Sequence, residues 1–298
     1  MDKNGNRAAT LGYLGPSGTH CEDAANKYLG DQIEKQSFPS IREVLMAVEN
    51  RLVKQGVVPL ENSIEGTVNT TIDLLAHEVN LFIKAELVMP VKHCLLAPPG
   101  TDLDQVKVVV SHAQALSQCQ RFLAQKMSGL RCIPVSSTAE AAQIVAGGQM
   151  KLLLNAWIHA SDPSTAQKQG NSWAAIASSR AAEIYGLVVL AENVSDNLSN
   201  YTRFVAVGKE DALPTGQDKT SLVFGLPHRP GSLLEVLSIF ASAGINLTRI
   251  ESRPSKRGLG EYWFIIDIEG HRQESRIAEA LEVLASRTAW FKMLGSYP

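Results

Sequence analysis

Hydrogen-bonding side chains are concentrated near residue 200, where the chain reads "DNLSNYTRFVAVG". Thr202 and Arg203 end this polar stretch, and the apolar run that follows them is typical of a buried strand. A threonine hydroxyl can donate a hydrogen bond to a departing oxygen, and an arginine can bind a carboxylate through two parallel hydrogen bonds. Because adjacent side chains of a strand point to opposite faces, we expect only one of the two to face a given site.

Two further segments, "VVPLENSIEGTVNTTIDLL" and "VVVSHAQALSQCQ", place polar side chains where an apolar run ends. Ligands of open α/β sheets bind outside the carboxyl ends of the strands, so both segments are predicted to contribute to one site. A helix-capping serine and a solvent-facing aspartate are the alternatives for the first segment. The candidates are Glu61, Asn62, Ser63, Thr71 and Asp73 in the first segment, and Ser111, His112 and Gln118 in the second.

A glycine-containing turn, "GYLGPSGTH", lies between a predicted strand and a predicted helix, and Thr19 is its last hydroxyl residue. The free N–H groups at such a helix start can bind an anion. A turn with no ligand is the alternative interpretation of this short motif.

Composition limits the class of protein to which these residues belong. The chain has 298 residues, 45% hydrophobic and 19% charged, with a formal net charge of -2, which indicates about two globular domains and gives no electrostatic case for binding nucleic acid. We expect no membrane span and a cytoplasmic location, because the sequence has no leader-like or long apolar segment. The four cysteines are widely spaced, which predicts reduced thiols. Neither a metal nor an organic cofactor is expected, since no metal-ligand or phosphate-loop motif occurs.

From Thr10 onward, short apolar runs alternate with amphipathic stretches, a pattern that predicts parallel strands with helices on both faces. A breaker cluster at 98–100 and a second series of alternations predict two lobes with a binding cleft between them. The segment 147–173 interrupts this rhythm, and its His159 is assigned no role. After a polar linker, the last 80 residues follow the order β-α-β-β-α-β of a ferredoxin-like sandwich.

Several motifs occur together in one order along the chain: "GPSGT", "PLENSIEGTVNTTIDLL", "SHAQALSQC", "STAEAA", "AAIAS", "NYTRF", "RPGSLLEVL" and "ESRP". In this set the chain resembles the prephenate dehydratase family with its C-terminal ACT domain. The resemblance implies an α/β protein with a two-lobed catalytic domain, similar to the type 2 periplasmic-binding-protein fold, and a ferredoxin-like ACT domain. The expected bounds are 8–210 for the catalytic domain, 211–218 for the linker and 219–298 for the ACT domain, with lobes at about 8–105 plus 187–210 and at 106–186.

The resemblance also implies a carbon–oxygen lyase of phenylalanine biosynthesis that converts prephenate to phenylpyruvate, carbon dioxide and water without a cofactor. In that family the threonine of "TRF" is the residue held essential for dehydration, and Thr202 matches it. The remaining catalytic candidates are Asn62, Ser63, Ser111, Gln118 and Glu61, the role of Glu61 being left open because a carboxylate opposes a dianionic substrate. The substrate-binding candidates are Thr19, Thr71, Arg203 and His112.

Feedback by L-phenylalanine is expected at the ACT domain. The helix start after "RPG" offers N–H groups to an amino-acid carboxylate, and "ESRP" matches the segment that governs phenylalanine binding in the family. A homodimer or homotetramer is expected, because ACT domains generally pair through their sheets or helices. The candidate effector residues are Gly231, Ser232, Leu233, Asn246, Leu247, Glu251, Ser252, Arg253 and Pro254.

Three positions depart from the family pattern: His20 and Cys21 replace the usual Phe and Ser or Thr, and Ala113 replaces a proline. Two alternatives remain open at this point. An arogenate dehydratase would perform the same chemistry on a substrate with an amino group in place of the keto group. A two-lobed sensor with an ACT module would bind a small molecule without catalysis.

Overall fold

The computed structural model of the protein describes residues 10–126, 129–147, 173–255 and 262–298, and the interrupting segment with His159 lies outside these ranges apart from its ends. The strands of the described residues are β1 (Leu11–Leu14), β2 (Lys35–Phe38), β3 (Gln55–Asn62), β4 (Gly66–Thr67), β5 (Phe82–Pro90), β6 (Cys94–Ala97), β7 (Val108–His112), β8 (Arg131–Val135), β9 (Trp173–Ala177), β10 (Val188–Ala191), β11 (Tyr201–Gly208), β12 (Lys219–Gly225), β13 (Leu247–Pro254), β14 (Tyr262–Glu269) and β15 (Trp290–Tyr297). Their helices are α1 (His20–Leu29), α2 (Ile41–Glu49), α3 (Asn69–His77), α4 (Ala113–Ser117), α5 (Gln120–Lys126), α6 (Thr138–Gly147), α7 (Ser179–Tyr185), α8 (Ser232–Ser242) and α9 (Ser275–Arg287).

The first lobe is a six-stranded mixed sheet with the order β2-β1-β3-β11-β5, and β4 pairs with β3. Strand β1 is parallel to β2 and β3, as the alternation predicts, whereas β11 is antiparallel to both of its neighbours. Helix α1 packs on one face with Phe204 and Ala206 of β11. Helices α2 and α3 pack on the other face with Val205 and Val207, so alternate residues of one strand serve two separate cores.

The second lobe is a five-stranded sheet with the order β10-β6-β9-β7-β8. Its apolar clusters lie on both faces, one containing residues of α6 and α7 and the other containing residues of α4 and α5. Strands β6 and β10 pair with each other in this sheet and not in the first. The lobe bounds predicted from sequence are therefore wrong at two places: the chain leaves the first lobe after Pro90 and returns to it at Tyr201.

The C-terminal domain has the predicted order of elements, with an antiparallel sheet β13-β14-β12-β15. Helices α8 and α9 cover one face of this sheet through an apolar cluster that includes Phe224, Phe240 and Ile277. The opposite face is not exposed as in a free sandwich. Its Val223 and Trp263 belong to the same cluster as the α2 and α3 residues of the first lobe, so the C-terminal sheet packs directly on the first lobe.

Candidate active site

A β-bulge shapes the end of β3, where the first candidate segment lies. Thr202 pairs with Asn62 and Arg203 with Glu61, but Phe204 pairs with Pro59, so the intervening Leu60 has no residue opposite it. Bulges of this kind re-aim the side chains of the strand end. Asn62 and Thr202 consequently meet on one face, and Glu61 and Arg203 share the other.

The hydroxyl of Thr71 stabilises this bulge. It donates to the carbonyl oxygen of Pro59 at 2.6 Å, and the N–H of Val68 donates to the Leu60 carbonyl at 2.9 Å. Thr71 is fully buried. The prediction that Thr71 binds substrate is therefore corrected: its proton is committed to a backbone carbonyl inside the first lobe.

Thr202 is held by the amide of Asn62. Asn62 Nδ2 donates to Thr202 Oγ1 at 2.9 Å, while Asn62 Oδ1 accepts from the N–H groups of Ile64 at 3.0 Å and Glu65 at 3.1 Å. These backbone donors fix which end of the amide faces the threonine. Because the Thr202 oxygen accepts a hydrogen bond, its own hydrogen remains available to donate to a bound molecule.

A chain of neutral side chains extends from this pair to the second lobe. Asn62 Nδ2 also donates to Asn200 Oδ1 at 2.7 Å, Asn200 Nδ2 donates to Gln118 Oε1 at 3.0 Å, and His93 Nε2 lies 3.3 Å from the same Gln118 oxygen. Asn200 and His93 are almost fully buried. Gln118 Nε2 is buried and has no hydrogen-bond partner among the described residues, so it is a donor available to a ligand.

His93 and Asn200 are the members of this hydrogen-bond network that the sequence did not predict. Burial lowers the pKa of His93 to about 4, with a smaller contribution from the nearby His20, so the ring is neutral near pH 7. The only sequence signal for His93 was a lone polar ring in the apolar stretch "VMPVKHCLLA". Asn200 lies in the polar stretch "DNLSNYTRFVAVG", where no feature of the sequence distinguishes it from its polar neighbours.

Ser63 closes the loop around the pair. Its Oγ accepts from the N–H of Tyr201 at 2.9 Å and lies 3.3 Å from the Ser199 carbonyl, to which it donates. Its backbone N–H donates to the Tyr201 carbonyl at 2.8 Å. Ser63 thus joins the ends of β3 and β11, and the structure shows its hydroxyl engaged with the backbone.

Three other candidates are engaged with backbone atoms near their own positions. Ser111 is fully buried and donates to the Ile176 carbonyl at 2.6 Å. His112 Nδ1 accepts from the N–H of Gln114 at 3.4 Å at the start of α4. Thr19 donates to a carbonyl of β1 and caps α1. The structure gives these three residues positional roles and does not bring Ser111 or His112 into the Thr202 network.

Glu61 and Arg203 point away from Thr202, toward the C-terminal domain. Arg203 Nη1 lies 2.9 Å from Asp267 Oδ2 and 3.6 Å from Glu61 Oε2, and its Nε lies 2.5 Å from Glu86 Oε2. Burial alone would lower the pKa of Arg203, but Tyr297, Asp267 and Glu86 outweigh it and raise the pKa. The predictions that Arg203 binds substrate and that Glu61 acts in the reaction are corrected, because both side chains lie on the opposite face of the sheet.

The candidate effector residues separate into three places. Gly231, with φ of +86°, begins α8, and a cavity beside it is lined by Ser232, Leu233, Arg229, Tyr262 and Phe264, among others. Asn246 and Leu247, two of the candidate effector residues, lie at the opposite end of β13 and pair with the end of β14, so within one chain they lie away from that cavity.

The "ESRP" residues alternate along β13. Ser252 and Pro254 are exposed, while Glu251 and Arg253 face the catalytic domain. Thr67 donates to Glu251 Oε2 at 2.5 Å, and Arg253 Nη2 lies 3.0 Å from Asp73 Oδ1. These two charged residues connect the ACT sheet to the segment that follows Asn62.

Among the described residues there is no group of three or more His, Cys, Asp or Glu side chains that could hold a metal ion. Within the same part of the chain, no helix has the length and apolar character that crossing a bilayer requires.

Comparison with known families matches nearly the whole chain. A family model described as prephenate dehydratase matches residues 11–212, and one described as ACT domain matches residues 220–286. The bifunctional chorismate mutase/prephenate dehydratase of Neisseria gonorrhoeae is 41% identical over 292 residues, which cover 98% of this chain and 75% of that protein.

Two solved structures share the fold. The prephenate dehydratase of Arthrobacter aurescens, in complex with L-Phe, superposes with a TM-score of 0.81 at 36% identity, covering 97% of this chain and 89% of that one. A protein described as GqqA, a novel type of quorum quenching acylase, also has a TM-score of 0.81, at 28% identity, with 97% of each chain covered.

Proposed function

The chain belongs to the prephenate dehydratase family, and we propose that Thr202, held by Asn62, performs the family's decarboxylating dehydration of prephenate. The products are phenylpyruvate, carbon dioxide and water. The observation that carries the assignment of the site is the hydrogen-bond direction at Thr202: its oxygen accepts from Asn62, which leaves its hydrogen for the substrate.

In the reaction, the ring C–O bond and the bond from the ring to its carboxylate both break. The electrons of the second bond enter the ring, which becomes aromatic, and the departing hydroxyl takes up a proton and leaves as water. Thr202 donates a hydrogen bond to that departing oxygen. Negative charge that develops on the threonine oxygen is stabilised by Asn62 Nδ2, which is already oriented by backbone N–H groups.

The neutral character of the network suits a dianionic substrate. Asn62, Asn200 and Gln118 present amides, and the unpartnered Gln118 Nε2 supplies a donor for a substrate oxygen. Glu61, the nearest carboxylate in sequence, lies on the other face of the sheet and so does not oppose substrate binding from within the network.

The test is turnover by variants of Thr202. Thr202→Ala is expected to lower kcat by about 10²- to 10⁴-fold, the range for loss of a positioned proton donor, and Thr202→Ser to retain more activity because it keeps the hydroxyl. Thr288→Ala is the matched control, since its hydroxyl contacts only α9 carbonyls in the ACT domain. A folded Thr202→Ala enzyme with normal turnover would contradict the role.

Prephenate and arogenate are compared in the same assay. The family match and the relatives favour prephenate, so kcat/KM is expected to be higher for prephenate.

Acylase activity, as described for one structural neighbour, requires an activated nucleophile. Neither Ser63 nor Ser111 is activated here, because each donates its proton to a backbone carbonyl.

Phenylalanine is the effector that the ACT domain and the L-Phe complex of the Arthrobacter relative support. Calorimetric titration of the wild-type protein and of Ser232→Val with L-phenylalanine tests whether the cavity beside α8 binds the amino acid. The variant places two methyl groups where the buried Ser232 hydroxyl now donates to the Pro227 carbonyl. An absence of binding heat with the wild-type protein at millimolar phenylalanine would refute the effector assignment.

Assembly as a homodimer or homotetramer in the cytoplasm completes the proposal. Edge strand β13 exposes Ile250, and α8 exposes Leu234, which offers apolar surface to a second ACT domain. All four cysteines are free and three are buried, which suits a reducing compartment. Sedimentation at micromolar concentration that shows only monomer would contradict the assembly, and cell fractionation tests the location.

A further inference from the structure

Arg203 is a largely enclosed charge, with a side chain 13% exposed, that the proposed reaction does not use. Its guanidinium meets the ACT domain at two points: Nη1 is 2.9 Å from Asp267 Oδ2, and Nη2 donates to the Tyr297 hydroxyl at 3.0 Å. Its third nitrogen, Nε, faces Glu86 of β5 at 2.5 Å. The contact of Nε with Glu86 is an ion pair without hydrogen-bond geometry, so the hydrogen bonds to Asp267 and Tyr297 orient the planar guanidinium.

The ACT partners are themselves fixed. Ser221 Oγ donates to Asp267 Oδ1 at 2.5 Å and lies 2.7 Å from the Tyr297 hydroxyl. Asp267, Tyr297 and Ser221 are all buried. Three strands of the ACT sheet, β14, β15 and β12, therefore contribute one residue each to the site that receives Arg203.

Apolar side chains also join the two domains. Val223, Trp263, Ile265 and Leu294 already bury apolar surface against the catalytic domain. Buried ion pairs contribute little net stability compared with apolar packing, but they fix one arrangement of the groups that they join. The arrangement fixed here is the position of β11.

Thr202 is the residue next to Arg203 on that strand, and it faces the opposite side. The bulge at Leu60 lies directly beside this pair, where the register between β3 and β11 changes. On the β3 side, Glu251 holds Thr67 and Arg253 holds Asp73, just beyond Asn62. The ACT sheet thus contacts β11, which carries Thr202, and the segment that follows Asn62 of β3, so it contacts the chain on both sides of the Asn62–Thr202 hydrogen bond.

We propose that Arg203 is a positioning residue, through which Asp267 and Tyr297 of the ACT domain set the place of the Thr202 hydroxyl against Asn62. A change in the ACT sheet on effector binding then alters turnover through this contact. The inference rests on the proposed role of Thr202 and names the connection that regulates it.

The experiment compares Asp267→Asn with Asp211→Asn in the full-length protein. Asp211 forms a similar contact, 2.8 Å from Arg272 Nε, but lies beyond the end of β11. For each protein, kcat and KM for prephenate are measured with and without phenylalanine, phenylalanine binding is measured by calorimetry, and folding is checked by circular dichroism. Ser221→Ala and Arg203→Lys are the milder variants, which remove one hydroxyl and the planar fork respectively.

Asp267→Asn is expected to lower kcat about tenfold or more with KM changed less than about twofold, because misplacement of a reacting group costs the chemical step more than binding. The Asp267→Asn variant still binds phenylalanine, but the ratio of its turnover without phenylalanine to its turnover with phenylalanine falls toward one. Ser221→Ala and Arg203→Lys shift both quantities in the same direction, and Asp211→Asn shifts neither.

A folded Asp267→Asn enzyme with the kcat and phenylalanine response of the wild type would overturn the proposal. So would a lower kcat with an unchanged response, or equal losses in Asp211→Asn. If Asp267→Asn does not fold, the other two variants decide by the same criteria. Failure of the proposed function is a separate result, since the wild-type protein would then form no phenylpyruvate.

Discussion

The burial of His93 predicts how the stability of this protein depends on pH. His93 is 4% exposed, and burial lowers its pKa from 6.5 to about 4. In the unfolded chain the ring binds a proton near its ordinary pKa. Between these two values the unfolded state binds more protons than the folded state, so the free energy of unfolding falls as the pH falls from about 6.5 to 4.

The size of the effect follows from the shift. A difference of about 2.5 pKa units corresponds to about 3 kcal/mol once the pH is below both values, and about 2 kcal/mol of this is already lost at pH 5. Glu49, Asp218 and Glu251 have lowered pKa values, so their stabilising contributions are lost only as the pH falls below the ordinary carboxyl range. The change in the free energy of unfolding between pH 7 and pH 5 therefore comes mainly from the protonation of histidine.

The assay is urea unfolding of the wild type and of His93→Gln at pH 7 and pH 5. Glutamine keeps an N–H donor near the position of His93 Nε2, which contacts Gln118, but it does not titrate. The variant is expected to lose about 2 kcal/mol less than the wild type between the two pH values. His228→Gln, at an exposed position in the ACT domain, is expected to keep the wild-type dependence.

The reasoning is refuted if His93→Gln and the wild type lose the same free energy between pH 7 and 5. Direct titration of the His93 ring by NMR gives an independent check. A pKa near 6.5 in the folded protein would show that burial does not disfavour the charged ring.

Three further outcomes are expected. Asn200→Ala should cost about 1–3 kcal/mol of unfolding free energy and lower kcat, because it removes the hydrogen bonds that the buried Asn200 amide makes to Asn62 and to Gln118; chemical unfolding and initial rates measure the two effects. Ser111→Ala should destabilise the protein by a similar amount and leave kcat within about twofold, in contrast to Thr202→Ala, because its hydroxyl serves a buried carbonyl. Gly295→Ala should lower the melting temperature, since a Cβ there would overlap the backbone oxygen of Ile83; an unchanged melting curve would contradict this close approach of the domains.

The sequence was sufficient to predict the alternation of strands and helices and the ACT sandwich, because both depend on local periodicity. It was insufficient for the lobe bounds. Cys94–Ala97 and Val188–Ala191 are short apolar strands, and nothing in their residues shows which of two sheets they join. The pairing of β6 with β10 is a contact between segments about ninety residues apart, and only the assembled fold specifies it.

The same limit applies to the site, where side-chain direction decided which candidates meet. Asn62 and Thr202 were predicted together and are hydrogen-bonded, but the sequence could not show that Glu61 and Arg203 face the ACT domain, because the Leu60 bulge interrupts the alternation of β3. The strand that presents the Thr202 hydroxyl to one side therefore presents Arg203 to the ACT domain on the other. Because Thr202 and Arg203 are adjacent on β11, the regulation proposed above would connect the ACT domain to the Thr202 hydroxyl through a single peptide unit.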